Sequence, residues 1–145
     1  MDTNSDLKSN FKKLKSRIKK NEGFSVEPYL DQLGYRTIGF GHLMKANEKI
    51  LFTKKFLNEL FEKDFNNALL QYNKIFRHKN HSIKEKELLI EMTYQLGPRG
   101  VLGFKKMIYH IDKRNKYMTC LEMMQSLWYK QTPQRVKNLI KNYLK

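Results

Sequence analysis

The sequence has very little cysteine and no long apolar run. Its single cysteine, Cys120, cannot form an internal disulfide, which is typical of a protein folded in a reducing compartment. No stretch approaches the roughly 18 apolar residues of a membrane span, and residues 1 to 23 lack the apolar core of a secretory signal. We therefore expect neither a membrane span nor an export signal, and we expect the protein to reside in the cytoplasm.

Acidic residues are scarce compared with basic ones. The 145 residues include 29 Lys or Arg and 14 Asp or Glu, which leaves a formal net charge of +15. Such a charge attracts polyanions, and nucleic acid, anionic lipid and anionic cell-wall polymer all qualify as partners. Lysine-rich helix faces also serve solubility alone, so the charge by itself leaves these alternatives open.

The length and the apolar content are sufficient for one folded domain. A chain of this size buries about two thirds of the surface that its unfolded form exposes, and a hydrophobic content of 40% argues against general disorder. No internal repeat and no low-complexity linker divides the chain. We expect a single domain over residues 1 to 145.

Helical spacing dominates the apolar pattern. Apolar residues at steps of four, three and four from Leu7 to Ile18 predict a first helix, which Gly23 would end. The apolar positions of residues 53 to 76 predict a long helix of about six turns. Ser82 and Glu85 have the S-x-x-E spacing of a capping box that begins another helix.

The remaining elements are predicted from residues that favour turns and helix ends. A connection is predicted where four turn-forming residues cluster, namely Gly97, Pro98, Gly100 and Gly103. Further helices fit residues 104–112 and 117–128, and Thr132 with Pro133 predicts the N-cap and first turn of a last helix to about Leu144.

One early stretch interrupts the helices. Residues 31 to 34 have the composition of a turn, and residues 35 to 40 that of a short strand, which together predict a small β-hairpin region. The predicted fold class is therefore α+β, predominantly helical. Cys120 and Trp128 are predicted to be buried, and His78 and His81 to lie in a surface loop rather than to bind a metal.

Two carboxyl groups and a hydroxyl stand out around this hairpin. Glu22 lies at the end of the first helix, where the negative end of the macrodipole disfavours its ionised form. Asp31 follows in the turn, open to water, and Thr37 lies on the strand. Two carboxyl groups in unlike environments suit glycoside hydrolysis, although most such pairs are solvated surface charges.

The residues around this set carry a more specific signal. The first block contains Glu22-Gly23, Tyr29-Leu30-Asp31 and the run Gly34-Tyr35-Arg36-Thr37-Ile38-Gly39-Phe40-Gly41-His42-Leu43. The second contains Gln95-Leu96-Gly97, Gly100-Val101, Gly103-Phe104 and Trp128-Tyr129-Lys130-Gln131-Thr132-Pro133-Gln134-Arg135. In this order the blocks closely resemble the phage-type lysozymes, the endolysin family of the T-even bacteriophages, over most of residues 11 to 143.

The resemblance implies an activity and roles for particular residues. Members are inverting muramidases that hydrolyse the β-1,4 link from N-acetylmuramic acid to N-acetylglucosamine in peptidoglycan, with no metal and no cofactor. Glu22 falls on the general acid, Asp31 on the carboxylate that orients or activates the attacking water, and Thr37 on the hydroxyl that holds this water. The supporting residues implied are Arg135, which pairs with the catalytic Glu, the ion pair of His42 and Asp64, and the cleft residues Leu43, Gln95 and Phe104.

The resemblance also implies an organisation into lobes. Residues 22–52 would form a small β lobe, residues 53–78 a connecting helix, and residues 7–21 and 82–145 a helical lobe. The β lobe should be truncated, because only about ten residues separate His42 from Thr53. Glu91 stands where the T-even enzyme carries an Asn near the cleft.

Partners and alternatives follow from the same resemblance. We expect a monomer that acts on bacterial peptidoglycan, binds anionic wall or outer-membrane polymers, and waits in the host cytoplasm until a separate holin-like pore protein gives access. A lytic transglycosylase, which needs only the acid, and a basic wall-, membrane- or nucleic-acid-binding protein on the same fold are the alternatives. Asp31 and Thr37 favour hydrolysis, because a transglycosylase has no water to position.

Overall fold

The computed structural model describes the backbone from Thr3 to Lys145 and the side chains from Phe11 onward. These residues form seven helices and three strands in the following order: α1 (Thr3–Glu22), β1 (Ser25–Leu30), β2 (Arg36–Gly39), β3 (His42–Leu43), α2 (Lys54–Ile75), α3 (Ile83–Leu102), α4 (Lys105–Asp112), α5 (Lys116–Met124), α6 (Leu127–Gln131) and α7 (Pro133–Leu144). The predicted α+β class with a predominance of helix is confirmed. The chain divides into two compact units, up to Leu70 and from Gln71 onward.

The core of the first unit lies between α1 and α2. Leu14 and Ile18 on the apolar stripe of α1 are fully buried, as are Phe61 and Phe65 of α2. The ring of Phe11 meets that of Phe65 edge-on, with centroids 6.1 Å apart. The stripe predicted for the first helix is therefore confirmed from Phe11 onward, and the side chain of Leu7 lies outside the described residues.

The small sheet of the first unit has three antiparallel strands in the order β1-β2-β3. A single hairpin was predicted, but the chain turns back a second time at Phe40 and Gly41 and adds β3. Thr37 occupies the centre of the sheet, where its cross-strand partners are Tyr29 on β1 and Leu43 on β3.

The second unit is helical, and α3 corrects one prediction. The capping box at its start is confirmed, because Ser82 Oγ accepts from the backbone N–H of Glu85 and Glu85 Oε1 accepts from that of Ser82. The predicted connection after residue 97 is instead a kink at Gly97 (φ 75°, ψ 167°), after which the helix resumes and runs to Leu102. Pro98 fits the first turn of the resumed helix, where no partner for its missing N–H is needed.

Two boundaries near the C-terminus also differ from expectation. The helix predicted over residues 117–128 ends at Met124, because Ser126 caps the separate helix α6 by accepting from the N–H of Tyr129. Pro133 lies in the first turn of α7 as predicted. Thr132 does not cap α7 through its side chain, because its hydroxyl donates to the carbonyl of Trp128 at 3.1 Å.

Several predicted environments can be compared directly with the structure. Cys120 and Trp128 are buried as predicted, and burial raises the pKa of the Cys120 thiol. His78 is exposed, but the prediction of a surface position is wrong for His81, which is only 6% exposed. Across the part of the chain that the structure describes, every helix is too short or too polar to cross a bilayer.

The environment of His81 explains this burial. Its Nδ1 lies 2.7 Å from the hydroxyl of Tyr72, and the ring packs on Phe76 with centroids 5.3 Å apart. Its Nε2 has no hydrogen-bond partner in the described chain, and Asp112 Oδ1 lies 3.8 Å from it. Burial lowers the pKa of His81, so the ring of the folded protein is neutral at pH 7.

We expect His81 to weaken the fold on acidification. A lowered folded pKa means that its contribution is fully present above the unfolded pKa of about 6.5 and is lost as pH falls through the folded value. Urea unfolding of the unmodified protein and of His81→Gln at pH 7.5 and pH 5.5 measures this. The variant should lose less free energy of unfolding over the interval, and an equal loss in both proteins would contradict the expectation.

Candidate active site

The carboxyl group of Glu22 lies against the backbone of Gly41. Glu22 is the last residue of α1, and Gly41 is in the tight turn between β2 and β3. A Cβ atom added to Gly41 would lie 2.3 Å from Glu22 Oε2 and 2.7 Å from its Cδ. Gly41 also has a φ of +77°, which L side chains rarely adopt. Both the local backbone and the neighbouring carboxyl group therefore require glycine here.

Asp31 is held by the turn that it begins. Its Oδ1 accepts from the backbone N–H groups of Leu33 at 2.9 Å and Tyr35 at 2.8 Å, and its own N–H donates to the Tyr35 carbonyl at 2.9 Å. An Asp side chain that bonds to the backbone ahead of it is a common way to close a turn. Asp31 Oδ2 accepts no hydrogen bond from the described residues. One oxygen is thus structural, and the other remains for solvent.

Thr37 and Asp31 are both hydrogen-bonded to the backbone of Tyr35. The Thr37 hydroxyl donates to the Tyr35 carbonyl at 2.9 Å, and the N–H of the same Tyr35 binds Asp31. Thr37 is only 2% exposed at the centre of the sheet. Because its proton is already donated, the hydroxyl oxygen can take part in a further bond only as an acceptor, for example from a water molecule.

Tyr29 lies near both carboxyl groups. It is 38% exposed and lies opposite Thr37 in the sheet. Burial raises the pKa of Tyr29, and the charges of Glu22 and Asp31 raise it further. Both carboxyl groups are therefore close enough to disfavour a phenolate. Sequence reasoning missed Tyr29, although it belongs to the Tyr29-Leu30-Asp31 motif.

His42 lies between two carboxylates. The predicted pair is present, with Nδ1 2.8 Å from Asp64 Oδ2 on α2, and a second partner lies on the other side, with Nε2 2.9 Å from Glu48 Oε2. The hydrogen bond to Asp64 is the main cause of a raised pKa of His42; the bond to Glu48 adds to it, and burial opposes both. Burial also opposes ionisation of Glu48, but hydrogen bonds from the Lys45 N–H and from His42 lower its pKa.

We expect His42 to stabilise the first unit most at acidic and neutral pH. Because its folded pKa is raised, its contribution is fully present below about 6.5 and is lost as pH rises through the folded value. His42→Asn should reduce the free energy of unfolding by about 2 kcal/mol at pH 6. Unfolding curves at pH 6 and above the NMR-measured folded pKa would test this, and a penalty that is equal at both pH values would contradict it.

The remaining predicted residues have clear local environments. Gln95 Oε1 accepts from Trp128 Nε1 at 3.1 Å, and the Phe104 ring meets the indole edge-on with centroids 5.7 Å apart. Arg135 is buried, with Nη2 4.0 Å from Glu91 Oε2. Leu43 is 52% exposed on β3. Pairing of Arg135 with Glu22 and substrate contacts of Leu43, Gln95 and Phe104 stay predictions.

Comparisons with known proteins identify the family of this chain. A family model described as phage lysozyme matches residues 19–142. A probable T4-type lysozyme 1 of Dictyostelium discoideum is 30% identical in an alignment that covers 88% of this chain and 91% of that protein. A probable T4-type lysozyme 2 of the same organism is 29% identical with the same coverage. The matched range contains the positions of Glu22, Asp31 and Thr37 and most of the chain, so the chain belongs to the phage lysozyme family.

Proposed function

We propose that this protein is an inverting muramidase that cleaves the β-1,4 bond from N-acetylmuramic acid to N-acetylglucosamine. Membership of the phage lysozyme family supports a lysozyme-type glycoside hydrolase whose substrate is peptidoglycan. The observation that carries the finer proposal is the difference between the surroundings of the two carboxyl groups. Glu22 is packed on Gly41 at a helix end, whereas one oxygen of Asp31 accepts no hydrogen bond from the residues that the structure describes.

The proposed reaction is a single displacement. Glu22 gives its proton to the glycosidic oxygen as the bond from the anomeric carbon to that oxygen breaks. Water held by Asp31 and Thr37 forms a new bond to the anomeric carbon from the opposite face, and Asp31 takes a proton from this water. Inverting enzymes hold their two carboxyl groups about 6.5 to 9.5 Å apart to leave room for such a water.

A lytic transglycosylase is the second candidate. That reaction needs only the acid, because a hydroxyl of the sugar itself attacks and closes an anhydro ring. Thr37 favours hydrolysis, since its hydroxyl already donates to the Tyr35 carbonyl and is left as an acceptor for water. The turn at Asp31 favours it as well, because two amide groups hold the carboxylate in one orientation.

The biological setting stays a prediction. In a phage-type system the enzyme would lyse the host from inside, wait in the cytoplasm, and reach the wall through pores made by a separate holin-like protein. The net charge of +15 would draw it to anionic wall polymers.

The products decide the reaction type. Mass spectrometry of fragments from purified peptidoglycan should show reducing ends, because water is the nucleophile. NMR of the freshly cut sugar should show the α anomer first, because inversion at a β bond gives that product. Anhydro ends would instead establish a transglycosylase, a β anomer would establish retention, and no cleavage would leave a binding protein.

A further inference from the structure

The short segment between β3 and α2 brings a second carboxylate to His42. Glu48 closes a turn in which its N–H donates to the Lys45 carbonyl at 3.2 Å, while its Oε1 accepts from the Lys45 N–H at 3.0 Å. Asn47 within this turn has a φ of 65°, a conformation that few non-glycine residues adopt. The turn folds back and places both Glu48 oxygens within 3.0 Å of His42 Nε2.

This arrangement favours the protonated form of the ring. A neutral imidazole has one N–H donor, whereas His42 presents each nitrogen to a carboxylate, Asp64 from α2 and Glu48 from the turn. Both nitrogens can donate only when the ring is the imidazolium. A cation, Lys45, also lies next to Glu48. The ring therefore joins β3 to the long helix and to the turn.

His42 directly follows the residue that contacts Glu22, the proposed acid. Gly41 precedes His42 directly, and its Cα faces the carboxyl group of Glu22 without room for a methyl group. A shift of the His42 backbone would therefore move the surface on which Glu22 rests. Fixing the ring at both nitrogens limits such a shift more than one bond does.

We propose that Glu48 is a positioning residue, which holds Gly41 against the carboxyl group of Glu22 by binding Nε2 of His42. This inference rests on the proposed function, in which Glu22 is the proton donor. Glu48 acts without touching the substrate. Its effect passes through His42 and the backbone of the turn.

Glu48→Gln tests the proposal, because it keeps the size of the side chain and removes its charge. Glu59→Gln is the matched control, since Glu59 is exposed on α2 and changes the net charge equally. We expect Glu48→Gln to lower kcat on soluble peptidoglycan fragments by about tenfold with little change in KM, because small misplacements of catalytic groups are costly. The His42 pKa and the alkaline limb of kcat should fall together, and the Glu22 carboxyl resonance should move. The control should change none of these quantities.

All assays are run well below the Tm of each variant, so that unfolding does not enter kcat. A lower Tm with an unchanged kcat and an unchanged Glu22 resonance would show that Glu48 only stabilises the turn, and would overturn the proposal. An equal loss of kcat in Glu59→Gln would overturn it as well. If the unmodified protein does not cleave peptidoglycan, the proposed function fails, while movement of the Glu22 resonance in Glu48→Gln alone still supports the positioning.

Discussion

Replacing Glu22 by Gln is expected to lower kcat on purified peptidoglycan by about a thousandfold, within the range that a positioned proton donor contributes. Glutamine keeps the size and much of the hydrogen bonding of the carboxyl group but has no proton to give to the leaving oxygen. Wall binding should persist. The free energy of unfolding should stay the same or rise, because a carboxylate at the C-terminal end of α1 faces the negative end of the helix macrodipole.

For Glu22→Gln, kcat, wall binding and thermal unfolding are measured together. Glu59→Gln, which removes one negative charge from an exposed position on α2, is the control and should behave like the unmodified enzyme. Substantial hydrolysis by folded Glu22→Gln would remove Glu22 from the role of proton donor. A loss of wall binding in the same variant would assign Glu22 to substrate binding instead.

Replacing Gly41 by Ala should combine a loss of stability with a large loss of turnover. The left-handed backbone conformation, at φ +77°, costs an L residue about 1 to 2 kcal/mol. The new methyl group would lie 2.3 Å from Glu22 Oε2, so either the carboxyl group or the turn must move. A displacement of about 1 Å at a reacting group can reduce the rate by about a hundredfold, and we expect a loss of kcat of that order.

Gly34→Ala distinguishes the effect of backbone strain from the effect of the steric clash with Glu22. Gly34 has a φ of +85°, but a Cβ there meets nothing within 4 Å. Unfolding of the two variants should show comparable losses of stability, while kcat at a temperature where both are folded should fall much further in Gly41→Ala. Equal losses of kcat would mean that the collision with Glu22 has no effect on the acid.

The parts of the fold that depend on neighbouring residues were predictable from the sequence. The apolar stripe of α1 and the capping box at Ser82 need only contacts a few residues apart, and both are present. The predictions were wrong where one local sequence pattern is compatible with two different structures. Gly97 and Pro98 indicate a break, but a break inside a helix and a connection between helices share that composition, and only packing in the second unit decides. His81 looked polar and exposed, yet Tyr72 and Phe76 enclose it.

For the candidate site, the sequence by itself determined which chemistry-bearing residues are present and in what order. The motif containing Glu22, Asp31 and Thr37 indicated the family, and the match to phage lysozyme confirms it. Only the tertiary structure decided which side chains surround them. Tyr29 is close to both carboxyl groups, and Glu48 binds the far side of His42. These neighbours could not be predicted from the sequence, because they come together only when the sheet and the turn fold. The spacing of residues along the chain does not give the distances between them in the folded protein.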